Sequence, residues 1–202
     1  MAQPPALGPG LALSQSLRAV TMLISPQARL GIFIDGADLL TATSALGFTV
    51  DFKRLRSLFQ QRGKLMRAVF YAALSEDDNG ECSMRHLVDW LQYNGYSTRT
   101  KSTKRRIAGQ PWPSGAMDVE LAVDAMRLGR ALDHLVLFSG RAELKALVSA
   151  LQEEGKRVTV VSTLATRMHV ADEMRRQADQ YVDLAELKDQ IRLPVDSTTS
   201  GQ

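Results

Sequence analysis

Cysteine is nearly absent from this sequence, since Cys82 is the only one among 202 residues. The chain therefore forms no internal disulfide and no site built from several thiolates, and we expect a reducing, cytoplasmic setting. Long apolar runs are missing too: none approaches the roughly 20 residues that a membrane-spanning helix needs, so we expect no membrane association. Charge is only mildly unbalanced, at a net +3, which permits a nucleic-acid partner without requiring one.

Acidic residues are absent from residues 1–29, a segment that contains Pro4, Pro5 and Pro9. We expect this segment to be a disordered N-terminal extension of the folded domain. Two alternatives stay open. The segment could be a transit peptide, although it has few arginines and serines for that role, or the natural start could be Met22.

The rest of the sequence alternates short apolar runs with amphipathic segments. The apolar runs predict strands at 30–34, 65–74, 96–101, 135–138, 157–162 and 181–182. The segments between them predict helices at 52–62, 84–93, 117–128, 142–153, 170–178 and 184–191. Strands that alternate with helices indicate βαβ units and a parallel sheet. We therefore predict one three-layer α/β domain over residues 30–191, with a central parallel sheet flanked by helices and a polar tail at 192–202.

Four carboxylates stand out by their positions. Asp35 ends the first predicted strand before Gly36, which we expect to let the backbone turn sharply. Asp118 opens a helix, Asp124 lies further along it, and Glu143 follows the strand 135–138. Because the carboxyl ends of parallel strands share one edge, such acids could hold Mg²⁺ or Mn²⁺ for phosphodiester chemistry. Simpler roles stay open: a turn or helix cap for Asp35 and Asp118, and a solvated charge for Asp124.

A basic loop is the second functional signal. Lys101, Lys104, Arg105 and Arg106 lie close together, and Trp112 follows between two prolines. Lysine and arginine contact phosphates without regard to sequence, and an exposed aromatic ring can stack on an unpaired base. The loop therefore predicts contact with single-stranded RNA, although it could simply be a solvated loop that the tryptophan fixes.

Three blocks, at 33–39, 115–126 and 137–140, resemble the signature blocks of the NYN domain family, the LabA-like branch of the PIN-like nucleases. The resemblance extends from about residue 26 to residue 191. It implies a PIN-like (Rossmann-like) fold, a bacterial source and metal-dependent RNase activity. In that reading Asp35, Asp118 and Glu143 bind Mg²⁺ or Mn²⁺, and Asp124 belongs to the catalytic acids.

The sequence departs from the family pattern at the site. The third block usually reads Ser-Gly-Asp, but here Ser139 and Gly140 precede Arg141, and Glu143 stands at the second acidic position. Asp38 stands where the family generally has asparagine, and Ser114 replaces a lysine. We expect Asp38, Ser139, Gly140 and Arg141 to face substrate together with the basic loop.

Arg141 has two possible orientations. In our hypothesis it points inward, pairs with Asp35, Asp38 or Asp118, and stands in for the metal. In the alternative it points to solvent, and Asp35, Asp38, Asp118 and Glu143 hold a weakly bound Mg²⁺. The first function that follows is a metal-dependent endoribonuclease, a phosphodiester hydrolase, with a partly degenerate site. The second is a catalytically inactive NYN module that binds RNA or a protein partner. A homodimer also stays open.

Overall fold

The computed structural model describes residues 22–75, 84–103, 117–165 and 171–194. The strands in these ranges are β1 Arg29–Asp35, β2 Lys64–Ser75, β3 Ser97–Thr103, β4 His134–Phe138, β5 Arg157–Ser162 and β6 Gln180–Asp183. The helices are α1 Gly36–Ala45, α2 Phe52–Arg62, α3 Arg85–Tyr93, α4 Asp118–Gly129, α5 Lys145–Glu153, α6 Asp172–Gln177 and α7 Leu184–Ile191. A short 3₁₀ helix, Ala142–Leu144, leads into α5.

The strands form one parallel sheet in the order β3-β2-β1-β4-β5-β6. One apolar core packs α1, α2, α3 and α7 on one face, and a second core packs α4, α5 and α6 on the other. This arrangement confirms the predicted three-layer α/β fold. A parallel sheet is stable here because helices cover both of its apolar faces.

The strand order places a crevice between β1 and β4. From β1 the chain adds β2 and then β3 on one side, and afterwards returns to add β4, β5 and β6 on the other. In open α/β sheets, ligands bind outside the carboxyl ends of the strands at the point where the direction of winding reverses. Here that point lies between Asp35, at the end of β1, and the turn 139–141, which follows β4.

Most element bounds agree with the sequence prediction, and one helix was missed. The helix predicted at 52–62 is present with those limits, because the Asp51 side chain accepts hydrogen bonds from the Lys53 and Arg54 amides at its start. The missed element is α1, which has Thr41, Thr43 and Ser44 in place of stronger helix formers. In the described ranges the longest helix, α4, has 12 residues, and no helix there is long and apolar enough to cross a membrane.

The folded structure extends beyond both predicted domain boundaries. Met22 is buried in the core, and the Ala28 carbonyl accepts a hydrogen bond from the Lys64 amide. At the other end, the Leu193 amide donates to the Thr49 carbonyl. Residues 22–28 and 192–194 therefore belong to the packed domain and not to the extension or the tail. Residues 1–21 and 195–202 lie outside the described ranges.

Candidate functional site at the carboxyl edge of the sheet

Asp35 is buried at the end of β1, with 4% of its surface exposed. Its Oδ1 accepts hydrogen bonds from the Ala37 amide at 3.0 Å and the Asp38 amide at 3.3 Å, so it caps α1. The chain turns sharply from β1 into α1 at Gly36, as expected, but without a positive φ, since the positive φ values of described glycines occur elsewhere. A Cβ at Gly36 would lie 2.8 Å from the Tyr71 carbonyl oxygen. Glycine is needed there because α1 begins in close contact with β2.

Asp38 fixes the turn that follows β4. Its Oδ2 accepts a hydrogen bond from the Ser139 hydroxyl at 2.7 Å and another from the Gly140 amide at 3.2 Å. The Ser139 Oγ in turn accepts a longer hydrogen bond from the Arg141 amide at 3.4 Å. Ser139 is almost completely buried, and Gly140 is buried too. Both residues thus set the direction in which Arg141 leaves the turn, and their expected contact with substrate stays a prediction.

Arg141 points inward and pairs with Asp118 across the crevice. Its Nη2 lies 3.0 Å from Asp118 Oδ2, while its Nε lies 3.8 Å from Glu143 Oε2. The Arg141 side chain is 30% exposed and that of Asp118 is 16% exposed, whereas Glu143 is largely in solvent. The inward orientation agrees with our hypothesis. Asp118 is the partner in the ion pair, and Glu143 makes only a loose contact.

Burial and neighbouring charges raise the pKa of two carboxyl groups of this site, Asp35 and Asp118. Burial is the largest cause that raises the pKa of Asp35 to about 7, and the nearby Asp38 carboxylate is the next. The Asp38 amide and the Arg141 guanidinium act in the opposite direction, and the Asp118 carboxylate adds a further increase. Burial also raises the pKa of Asp118, Arg141 opposes the change, and Glu143 adds to it. Asp38 acts on both Asp35 and Asp118, and Glu143 acts on Asp118, so we call Asp35, Asp38, Asp118 and Glu143 together the acidic pocket.

The residues of the acidic pocket do not fit a divalent ion in this arrangement. The Arg141 guanidinium contacts Asp118 Oδ2, an oxygen that a divalent ion would need as a ligand. In addition, a fixed positive charge repels a cation. Nowhere in the described ranges are three His, Cys, Asp or Glu side chains grouped so that they could hold an ion together. One feature favours a cation: Asp118 Oδ1 is buried and has no hydrogen-bond partner among the described residues. Metal binding at Asp35, Asp118 and Glu143 therefore stays a prediction that depends on moving Arg141.

Asp124 lies in a separate cluster on the β2 and β3 side. Its Oδ2 is 2.8 Å from Arg99 Nε and accepts a hydrogen bond from the Tyr71 hydroxyl at 3.3 Å. Asp124 is also buried, so it is not the solvated charge of the simpler interpretation. It is not among the charges that act on Asp35 or Asp118. The structure thus assigns Asp124 a position that ties α4 to the edge of the sheet, apart from the other three acids.

Sequence reasoning missed Tyr71 and Arg99. In the sheet register Asp35 pairs with Tyr71, and Tyr71 pairs with Arg99, so the three side chains form a row across the carboxyl edge. The sequence did contain a signal for Arg99. Side chains alternate along a strand, so Arg99 lies on the same face of β3 as Lys101, which we had assigned to the basic loop. Which acid Arg99 meets was not readable, since Asp124 is remote from it along the chain.

Part of the predicted basic loop can be placed. Lys101 lies on the edge strand β3 and its Nζ is 3.1 Å from Glu120 Oε1, with half of its side chain exposed. Lys104, Arg105, Arg106 and Trp112 lie outside the described residues. Because β3 ends beside the start of α4, the chain enters and leaves this loop at the carboxyl edge of the sheet.

The chain is similar to several known proteins. The family model named NYN domain matches residues 29–186. The Low amplitude and bright protein LabA of Synechococcus elongatus is 29% identical over 167 residues, which span 80% of this chain and 86% of LabA. Among solved structures, a protein of unknown function from Vibrio parahaemolyticus is 23% identical with a TM-score of 0.65, covering 85% of this chain and 100% of that one. A weaker likeness, with a TM-score of 0.38 and 11% identity, covers 82% of this chain and 81% of the MAR1 ribonuclease of Caenorhabditis elegans.

Proposed function

Because the chain belongs to the NYN domain family, we propose that it binds single-stranded RNA at the carboxyl edge of its sheet, with Arg141 in place of a metal ion. The observation that carries the proposal is the contact of 3.0 Å between Arg141 Nη2 and Asp118 Oδ2. In this proposal the site holds a phosphodiester and does not cut it efficiently. The protein is then an NYN domain that has kept its RNA site and lost most of its metal-dependent chemistry.

Arg141 and three residues of the acidic pocket have separate parts in the proposal. Asp38 holds the turn 139–141 by accepting two hydrogen bonds, and Asp118 orients the guanidinium by pairing with Nη2. The exposed part of the Arg141 guanidinium can then donate to a phosphate oxygen, a contact that arginine makes with two parallel hydrogen bonds. Asp35, with a pKa of about 7, is partly protonated at neutral pH, which lowers the negative charge near that phosphate. The basic loop supplies the remaining attraction for the RNA backbone.

A second candidate is a metal-dependent endoribonuclease that uses Asp35, Asp118 and Glu143. The specific observation in its favour is Asp118 Oδ1, a buried carboxylate oxygen without a hydrogen-bond partner among the described residues. A buried oxygen of this kind is costly unless a donor or a cation reaches it. For this candidate Arg141 would have to leave Asp118 when Mg²⁺ or Mn²⁺ arrives. The two candidates therefore differ in whether the wild-type protein responds to divalent ions.

We expect the wild-type protein to bind a fluorescently labelled 12-nucleotide single-stranded RNA with the same affinity in EDTA and in excess Mn²⁺. The reason is that the guanidinium already occupies the position of the cation. Fluorescence anisotropy measures the affinity, and gel electrophoresis of the same samples measures cleavage. Cleavage by the wild type that requires Mn²⁺ would establish the endoribonuclease instead, and failure to bind RNA in either buffer would refute both candidates.

The basic loop should account for much of the salt dependence of binding. Replacing Lys104, Arg105 and Arg106 by alanine removes three positive charges, so we expect the slope of log affinity against log salt to fall by about 2. The matched control replaces Lys64, Arg67 and Arg130 by alanine, since these exposed residues carry the same charge but lie toward the amino edge of the sheet. Anisotropy titrations between low and high salt measure both slopes. Equal slopes for the two variants would remove the loop from the binding surface.

A further inference from the structure

A cavity of about 380 Å³ opens beside the acidic pocket, and it has no part in the function proposed so far. It lies between the start of α1, the turns after β4 and β5, and the start of α6. We call it the side cavity, and its walls are formed by Asp38, Thr41, Ala42, Gly140, Arg141, Ala142, Glu143, Ser162, Thr163 and Ala171. Its volume lies within the range of roughly 300–1,000 Å³ that small-ligand sites occupy. The side cavity shares Asp38 and Glu143 with the acidic pocket, and Arg141 lies between the two sites. A ligand bound in one site therefore approaches the other.

The walls combine three kinds of groups. Three alanines provide a small apolar surface and leave the space open, since larger side chains at those positions would fill it. Thr41, Ser162 and Thr163 bring hydroxyl groups. The charged groups are the Arg141 guanidinium and the carboxylates of Asp38 and Glu143, and Arg141 Nε lies 3.8 Å from Glu143 Oε2. An apolar surface, hydroxyl groups and charges of both signs suit a ligand that combines a flat apolar part, hydroxyl groups and an anionic group.

We propose that the side cavity binds one ribonucleoside of the RNA, with its phosphate on Arg141 and its ribose 2′-hydroxyl donating to Glu143. This inference rests on the proposed function and makes it more specific, because it names the sugar that the site recognises. Asp38 Oδ2 already accepts hydrogen bonds from the Ser139 hydroxyl and the Gly140 amide, which hold this carboxylate against the turn 139–141. Glu143 makes only a loose contact of 3.8 Å with Arg141 and is largely in solvent, so its carboxylate is available to accept a hydroxyl proton.

The charges decide the direction in which the nucleotide lies. A phosphate deep in the side cavity would lie near the Asp38 carboxylate, and like charges repel one another. Among the described residues that line the side cavity, Arg141 is the only one with a cationic side chain. The phosphate is therefore expected at Arg141, and the sugar and the base extend into the space beside the alanines. Acceptance of a 2′-hydroxyl by a carboxylate is a general way to distinguish ribose from deoxyribose.

The first test fills the side cavity. Ala171→Leu places a larger side chain in the wall of the side cavity, and Ala146→Leu is the control, since it makes the same change in the groove between α4 and α5, which has only Glu143 in common with the side cavity. We expect Ala171→Leu to weaken binding of the 12-nucleotide RNA by about tenfold and Ala146→Leu to leave it unchanged. Thermal unfolding of both variants shows whether they fold. If Ala171→Leu proves unfolded, Thr41→Val, which keeps the side-chain volume and removes a hydroxyl, is the second variant.

The second test concerns the sugar. We expect the wild type to bind the RNA more tightly than DNA of the same sequence, and Glu143→Ala to reduce the ratio of the two affinities several-fold. Glu173→Ala is the control, because Glu173 is an exposed carboxylate at the start of α6 that does not line the side cavity. Removing either negative charge raises both affinities, but only loss of the 2′-hydroxyl contact changes their ratio.

The outcomes separate the two levels of the proposal. If the wild type binds RNA, but filling the side cavity has no effect and Glu143→Ala leaves the ratio unchanged, the side cavity is not a nucleoside site and the RNA-binding function stands. If filling the side cavity weakens RNA and DNA equally and the ratio does not depend on Glu143, the assignment of the 2′-hydroxyl is wrong. If the wild type binds no RNA, both the inference and the proposed function are overturned.

Discussion

Arg141→Asp is expected to destabilise the protein in metal-free buffer and to make its stability depend on a divalent cation. The substitution removes the guanidinium that pairs with Asp118 and adds a carboxylate to the acidic pocket. Breaking a fully buried ion pair costs about 3–5 kcal/mol, and because Arg141 is 30% exposed we expect roughly 1–3 kcal/mol here. For a chain of this size that loss lowers the unfolding temperature by about 2–10 °C. Differential scanning calorimetry in EDTA measures it.

Mn²⁺ in excess should then restore the stability of Arg141→Asp. The five carboxylates of the variant have no cation to neutralise them, and a ligand that binds only the folded state stabilises it by about 2.7 kcal/mol at a hundred times its dissociation constant. Metal-dependent cleavage of RNA should rise in the same variant. Arg141→Ala is the control, because it removes the guanidinium without adding a carboxylate and should respond to Mn²⁺ much less. If the wild type is stabilised by Mn²⁺ and cuts RNA as well as Arg141→Asp does, the view that Arg141 replaces the metal is wrong.

Asp35→Asn should raise the stability of the protein above neutral pH. The pKa of Asp35 is about 7 in the folded protein and near 4 in an unfolded chain, so the folded state binds more protons between these values. The contribution of protonated Asp35 to the free energy of unfolding is therefore complete below pH 4 and is lost as the pH rises to about 7. Asparagine stays neutral and keeps the oxygen that caps α1, so it avoids this loss.

The gain of Asp35→Asn should be smallest at pH 5, rise by up to about 1.4 kcal/mol for each pH unit above that, and be largest at pH 8. Its upper limit is about 4 kcal/mol, since each tenfold change in proton affinity corresponds to about 1.4 kcal/mol. Asp51→Asn is a matched control, because Asp51 caps α2 in the same way but lies outside the acidic pocket. Urea unfolding of the three proteins at pH 5, 6, 7 and 8 measures the difference. A gain that does not change with pH, or that Asp51→Asn shares, would show that Asp35 carries no electrostatic penalty.

The sequence was sufficient for features that depend on neighbours along the chain. The helix at 52–62 and the strand at 157–162 have the predicted limits, because capping residues and the period of apolar residues act within a few positions. The parallel sheet followed from the alternation of these elements, since short connections exclude most other topologies. The location of Asp35 beside the turn 139–141 followed in turn, because the carboxyl ends of parallel strands share an edge.

The resemblance to the NYN domain family indicated that Arg141 replaces an acid, but it left three partners open. The choice of Asp118 was decided by the tertiary structure, since it requires α4, which crosses one face of the sheet, to begin opposite the turn after β4. The same crossing carries Asp124 away from the site, toward Arg99 and Tyr71, where we had expected either a catalytic acid or a solvated charge. Residues that are remote along the chain become neighbours only through the packing of whole elements.

The physical difference between the two groups of results is the range of the interactions. Local hydrogen bonds and apolar periodicity identify helices and strands. In this chain they were sufficient to predict a parallel sheet flanked by helices. The need for glycine at Gly36, the pKa of Asp35 and the pairing of Arg141 depend on distances of a few ångströms between separate elements. Burial and charge interactions change steeply over such distances. Residue types alone could therefore name the members of the acidic pocket, but only the packed structure could decide which of them Arg141 neutralises.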